Sequence, residues 1–168
     1  MRLHVKGSGK TVDLTQKNYL AGGGQGAVYV LGNTAFKVYH NPADMIPLGK
    51  FAELSCIADP NIIRPQDILV DDKGKVVGYT MRYVANCLAL CQLFPRAFRD
   101  REGVTPQQTS DLVRKLHDCM HNVHGAGALV VDCNEMNFLV DRGFSTVYGI
   151  DADSYQTPHY PAVALMES

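Results

Sequence analysis

No run of this chain is apolar enough, for long enough, to span a bilayer, and the opening residues MRLHVKGSGK lack the hydrophobic block of a secretory leader. A cytoplasmic protein is therefore expected. Neither sign of charge prevails, since 16 Lys and Arg stand against 17 Asp and Glu. That balance excludes wholesale attraction to nucleic acid or to a membrane surface. The local basic group Arg96, Arg99 and Arg101 reads as solvated surface. A disulfide framework is also excluded, because the five cysteines (Cys56, Cys87, Cys91, Cys119, Cys133) are odd in number and form no C-x-x-C pair. Cys87 and Cys91 stand one helical turn apart, incomplete as a metal site, and all five are expected to be buried thiols. There is no internal repeat and no low-complexity segment.

What is present is enough for one good core with room for two lobes: 168 residues, 46% of them hydrophobic. The first half reads as five strands and one helix. Short β-rich runs at 18–21, 27–31 and 34–39 are separated by residues 22–26 and by the tight turn Gly32-Asn33. Asn41-Pro42 breaks the sheet, and a helix is expected over 48–58, stopped by Asp59-Pro60-Asn61. Strands at 67–70 and 76–81 are joined by the polar turn Asp71-Asp72-Lys73-Gly74-Lys75. Residues 82–86 connect into a mostly helical second half. Its main helix is expected at 106–124, with Thr105 as cap and Pro106 in the first position. Leu112, Val113, Leu116, Cys119, Met120 and Val123 would form its apolar face. His117, His121 and His124 share that helix at zinc-compatible spacing, but read as its polar surface. Two short strands at 138–140 and 146–150 bracket the turn Asp141-Arg142-Gly143.

Two constellations carry chemistry. In Ala21-Gly22-Gly23-Gly24-Gln25-Gly26-Ala27-Val28-Tyr29 the stretch 22–26 lies between two strands, and its glycines let backbone N–H groups approach a polyphosphate with no Cβ in the way. Lys37, in Ala35-Phe36-Lys37 on the next strand, would bring an ammonium to the same phosphates. At the far end, Asp132-x4-Asn137 precedes a strand–turn–strand that ends on Asp151-Ala152-Asp153. A triphosphate carries several negative charges, so a hard cation must neutralise them, and carboxylate and amide oxygens suit magnesium. A base for the attacking hydroxyl must lie within hydrogen-bond reach of it.

In this order the segments resemble the protein kinase-like superfamily: a glycine-rich loop and third strand, the D-x4-N catalytic loop, and the aspartate of D-F-G. The G-G-Q-G-A-V-Y loop and the D-x-D-S-Y-Q run are similar to a divergent group of bacterial and phage Ser/Thr protein kinase-like proteins. A looser similarity links the chain to small-molecule kinases of the aminoglycoside phosphotransferase type. The resemblance covers nearly the whole chain. It implies an α+β fold, with a five-stranded lobe and one helix at 1–84, a truncated helical lobe at 85–168, and ATP and magnesium in the cleft between them. It also implies roles. Lys37 would hold phosphates, Glu53 would orient Lys37, Asp132 would act as base, and Asn137 and Asp151 would bind the metal, with Asp153 as an added carboxylate nearby. Residues 21–26 would cover the nucleotide, Val28 and Ala35 would sandwich the adenine, Met81 would be the gatekeeper, and the backbone at Tyr83 and Val84 would meet the base.

The chain departs from the family pattern in five places. Ala21 replaces the first glycine of the loop, and Asn134 stands where kinases acting on Ser/Thr usually have lysine. Val130-Val131 replaces His-Arg, which removes the partner of an activation-loop phosphate and argues against classical phospho-activation. Asp151-Ala152-Asp153 replaces D-F-G. Only 17 residues follow Asp151, with no A-P-E segment and none of the helices that usually come after it, so either the lobe is truncated or the chain is a piece of a longer protein. Tyr155, Thr157 and Tyr160, in the would-be activation segment, read as ordinary loop residues. An exposed apolar face is expected where the missing helices would pack, with association to a second copy or another chain. The leading reading is an ATP- and Mg-dependent kinase acting on Ser/Thr hydroxyls of a protein acceptor. The alternatives are a nucleotide-binding pseudokinase or regulatory module without turnover, and a small-molecule phosphotransferase.

Overall fold

Leu3 and Val5 alternate with Arg2 and His4, and that period of two puts both apolar side chains on one face of a strand. The computed structural model describes residues 1–162. In it this strand, β1 (Arg2–Val5), belongs to a seven-stranded antiparallel sheet with β2 (Thr11–Asp13), β3 (Tyr19–Gly22), β4 (Gly26–Leu31), β5 (Thr34–Tyr39), β6 (Pro65–Val70) and β7 (Val76–Arg82). The order across the sheet is β2-β1-β6-β7-β5-β4-β3. Seven strands therefore replace the five expected. The two additions pair with each other, Leu3 opposite Val12, and β1 extends the sheet through β6, with Val5 opposite Leu69. Each is too short to announce itself in a period, and long-range pairing is what holds them.

The chain divides into two compact units. The first comprises Met1–Phe51 and Arg64–Val84, and the second comprises Ala52–Ile63 with the described residues from Ala85 onward. In the first unit Leu3, Val5, Leu14, Phe36, Leu69 and Val77 form the buried core, flanked by Val12, Tyr29 and Val38. Burying each such side chain contributes about 1.5–3 kcal/mol. The helix expected over 48–58 is shorter, α1 (Leu48–Leu54). Beyond it the amides of Ser55, Cys56 and Ile57 bond carbonyls three residues back, at 3.1–3.2 Å, and the Ser55 hydroxyl takes the Ala52 carbonyl at 2.5 Å. The last turn tightens and the helix ends before Asp59-Pro60 is reached.

The second unit is less helical than expected. A three-stranded sheet, ordered β10-β9-β8, is built from β8 (Cys87–Ala89), β9 (Phe138–Asp141) and β10 (Val147–Gly149). The helices are α2 (Arg96–Glu102) and α3 (Pro106–Gly125). Thr105 caps α3 as read from the sequence: its hydroxyl accepts the Gln108 amide, and Gln108 reaches back to the Thr105 amide at 2.9 Å. Leu112, Cys119 and Val123 are buried along it, but Val113 is 63% exposed, because one residue beyond Leu112 lies a quarter turn off the apolar stripe. Leu88, Leu93, Leu112, Phe138, Val140, Phe144 and Val147 make the core of this unit. Of the basic residues of α2, Arg96 and Arg101 are exposed as expected and face Asp100 and Glu102, whereas Arg99 is half-buried and donates to the Leu93 and Phe94 carbonyls at 2.6 Å.

The cysteine expectation is corrected. Cys119 alone is buried, Cys87 and Cys91 are half-buried, and Cys56 and Cys133 are exposed. Burial pushes the Cys119 thiol up to about 11, with Asp59 and Asp118 adding to it. Among the described residues no helix is long and apolar enough to cross a membrane.

Two local features support direct tests. Gly78 sits in β7 between β5 and β6, where a Cβ would press into the Lys37 carbonyl and meet Val38 Cα at 3.1 Å, both of them backbone that cannot step aside. Gly78→Ala is expected to lower stability by about 2 kcal/mol or more in urea denaturation. Gly24→Ala, at a position with open space around it, should change stability by less than about 0.5 kcal/mol. Asp141 closes the β9–β10 hairpin. Burial pushes its carboxyl up, but bonds from the Ser145 and Thr146 amides (2.8 and 2.6 Å) and the Ser145 hydroxyl (2.9 Å) outweigh this and hold it below 3.8. A lowered folded-state value means stability that is present above the unfolded value and lost as pH falls through the folded one. Asp141→Ala should cost about 1–3 kcal/mol at neutral pH, and the gap between parent and variant should narrow below about pH 4.

Candidate functional site

In the first unit the register of β4, β5 and β7 sorts the expected nucleotide residues. Val28 lies opposite Lys37, which lies opposite Tyr79; Val30 lies opposite Ala35, which lies opposite Met81; and Gly26 lies opposite Tyr39. Partners across an antiparallel pair share a face. Val28, Ala35, Lys37, Met81, Tyr39 and Tyr79 are thus on one face, and Phe36 turns to the core on the other. Lys37 is 8% exposed, and its ammonium lies 5.5 Å from the centre of the Tyr39 ring and 6.0 Å from that of Tyr79. The ring quadrupoles attract a desolvated cation by roughly 0.5–2 kcal/mol each. The tyrosines, themselves edge to face at 6.2 Å, were not read as site residues. Their signal was available, since Tyr39 follows Lys37 by two on one strand.

The glycine-rich segment is the tip between β3 and β4. Ala21, Gly22, Gly23, Gly24 and Gln25 are exposed, while Gly26 is buried against the backbone of β5, where a Cβ would meet the Val38 carbonyl. The Gly23 amide donates to the Gly26 carbonyl at 2.9 Å and closes the tip. Two further bonds come from His40, just past β5: its main-chain amide donates to the Gln25 carbonyl at 2.9 Å and its ring Nε2 to the Gly23 carbonyl at 3.1 Å. At the connector after Met81 the Tyr83 amide donates to the Asn33 carbonyl at 3.1 Å. That amide is therefore already taken up by the turn between β4 and β5.

In the second unit two expected residues, Asp132 and Asn137, come together. Asn137 donates its side-chain N–H groups to Asp132, reaching the main-chain carbonyl at 3.0 Å and Oδ2 at 2.8 Å. Asn134 donates to the other carboxylate oxygen, Oδ1, at 2.7 Å. The Asn137 carbonyl in turn accepts the Ile150 amide at 2.9 Å, one residue before Asp151. Asp132 is thus oriented by an amide at each oxygen. Because Asn137 spends its nitrogen on Asp132, its amide oxygen is the atom left for a hard cation. Asp151 takes φ 60, ψ 37, the left-handed region that aspartate tolerates better than most residues, and its carbonyl accepts the Ser154 amide at 3.0 Å and hydroxyl at 2.8 Å. Such conformations cluster where a site dictates the backbone. Asp153 is 3% exposed in the short 3-10 turn that follows. The Asp132 orientation by Asn134 was missed, although D-x-N spacing is a common turn signal.

Glu53 sits in α1, and its residue groups with the second unit. Its carboxylate accepts the His159 ring at 2.5 Å and the His159 amide at 3.3 Å. The Thr157 hydroxyl, near but outside regular hydrogen-bond geometry, and then His159 hold this carboxyl below the usual range. Lys50, also on α1, is fully buried and is a second lysine the sequence reading passed over. Among the described residues no group of three or more His, Cys, Asp or Glu is placed to hold a metal ion, and the three α3 histidines are surface groups, two of them stacked at 6.2 Å. Magnesium in phosphoryl-transfer sites needs no such cage, since one or two carboxylates, substrate oxygens and water complete its shell. Asp151 and the Asn137 amide oxygen fit that donor set.

The Asp132–Asn137 bond is testable without any ligand. Asn137→Asp sets a second carboxylate where a donor stood, and two like charges at that range resist joint ionisation. Its stability should fall by about 1–3 kcal/mol at neutral pH. Thermal melts of parent and variant at neutral pH check this.

No protein-family model matches this chain and no curated protein matches it, so its functional reading rests on the residues and geometry described above.

Proposed function

We propose that the chain is a protein kinase-like phosphotransferase that passes the γ-phosphoryl group of ATP to a Ser/Thr hydroxyl with the help of magnesium. The observation that carries this reading is the double role of Asn137, which orients Asp132 through its side chain and meets the residue before Asp151 through its main chain. That arrangement gives a proton acceptor and two hard oxygen donors in one loop system, in the order the family pattern demands. The one-faced set Val28, Ala35, Lys37 and Met81 supports the nucleotide half of the reading.

In this reading Lys37 balances phosphate charge, and the closed glycine-rich tip offers backbone N–H groups with no side chain in the way. Asp132 accepts or orients the proton of the attacking hydroxyl, held at a fixed angle by Asn134 and Asn137. Asp151 and the Asn137 amide oxygen would hold magnesium, which when bound neutralises phosphate charge and aligns the leaving group. ATP as substrate, together with five free thiols, fits a cytoplasmic setting. A second reading, a nucleotide-binding module without turnover, is favoured by one observation: the carboxylate expected to orient Lys37 is bonded to His159.

Incubation with γ-labelled ATP, magnesium and a generic protein acceptor separates the two. The parent should transfer label, and Asp151→Asn, which keeps the left-handed backbone accessible, should reduce transfer by about 10²-fold or more. Magnesium-dependent thermal stabilisation by ATP without transfer would favour the binding module. Absence of both would sink the nucleotide reading.

A further inference from the structure

Three candidates stand outside the roles already assigned. The groove beside α3, lined by Cys56, Asp59, Pro60, His121 and Asn122, is shallow, and its Asp59 is already bonded to Asn122 at 2.7 Å and to the Asn61 amide at 2.8 Å. The exposed apolar side chains Leu129, Val131 and Met136 flank Asp132, but nothing shows what covers them. The third candidate is His40.

We infer that His40 is a positioning residue of the glycine-rich loop, holding its tip in the shape that takes up a nucleotide polyphosphate; this rests on the kinase-like reading. The segment 22–26 carries four glycines, so the unfolded and open forms of the tip have more conformational freedom than any other stretch of this length. Fixing one backbone residue costs about 1–2 kcal/mol. The internal Gly23–Gly26 bond ties the tip to itself, and His40 ties it to the sheet. Its main-chain amide continues the β4–β5 ladder by one step to Gln25, and its ring reaches past that to the Gly23 carbonyl. The ring bond turns a carbonyl, which would repel phosphate, toward a donor of the protein. A carbonyl oxygen accepts only, so Nε2 carries the proton. Both the Nε2–H tautomer and the imidazolium satisfy this, and the clamp does not depend on charge. The sequence hint is modest: a histidine directly after the lysine strand, before the Asn41-Pro42 break.

His40→Ala removes the ring bond and keeps the main-chain one, and His40→Gln restores an N–H donor on a side chain of similar reach. In the full chain, amide hydrogen exchange at Gly23 should quicken in His40→Ala and return toward the parent rate in His40→Gln. Affinity for MgATP, titrated calorimetrically, should weaken about three- to tenfold in His40→Ala and recover in His40→Gln, while the transfer rate at saturating ATP stays within about twofold of the parent. Unchanged exchange at Gly23 in His40→Ala would overturn the clamp. A loss of affinity that glutamine does not restore, or a matching fall in the saturated rate, would overturn the positioning role. Quickened exchange with no MgATP binding by the parent would leave the clamp as geometry and overturn both its nucleotide role and the kinase-like reading.

Discussion

Asn137 bonds in two directions at once, and the polar loops of the second unit depend on it. Its side chain holds Asp132, its carbonyl holds the Ile150 amide, and the next residue along is Asp151. Each bond contributes only about 0.5–1.5 kcal/mol net, too little to order two loops by itself. The residue that follows, Phe138, is 2% exposed and begins β9, whose Val140 is fully buried opposite Val147 of β10. Hydrophobic burial therefore fixes the hairpin, and Asn137, at its mouth, converts that rigidity into the placement of two carboxylates. Polar chemistry here rests on apolar packing one residue away.

The first unit follows the same rule through a different element. β5 gives Phe36 to the core and Ala35, Lys37 and Tyr39 to the opposite face, so one strand both anchors the sheet and presents a cation. Withdrawing an ammonium from water is costly unless partners compensate. The Tyr39 and Tyr79 rings lie within cation–π range and offset part of that cost. A lysine on an edge strand would lack such walls and would behave as a solvated tether.

What the sequence made legible followed from periodicity and punctuation. The strand at 34–39 and the start of α3 at Pro106 were read to the residue, because alternation in one and a Thr-Pro cap in the other are local signals. β1, β2 and β8 were missed since three or four residues cannot display a period, and their existence depends on partners far along the chain: β8 on β9, fifty residues on, and β1 on β6. α2 was missed because Ala97 and Phe98 are its only apolar residues, and no stripe emerges from two. The Asp132–Asn137 pairing was legible as spacing, but the second amide on Asp132, from Asn134, was not. The bond from His159 to Glu53 was not legible either, since the two residues lie far apart in the chain and no local spacing links them.

The placement of sulfur has a practical side. All five cysteines fall in the second unit, and only Cys56 and Cys133 are exposed. A thiol-reactive fluorophore added to the unaltered chain would therefore report on that unit alone, with the first unit spectroscopically dark. Cys119, its thiol pushed up to about 11 by burial, stays protonated at neutral pH and is slow to react. Cys133 is the neighbour of Asp132, so the native sequence already carries an attachment point for a dye beside that carboxylate, and confining label to it takes replacement of Cys56 and of the half-buried Cys87 and Cys91.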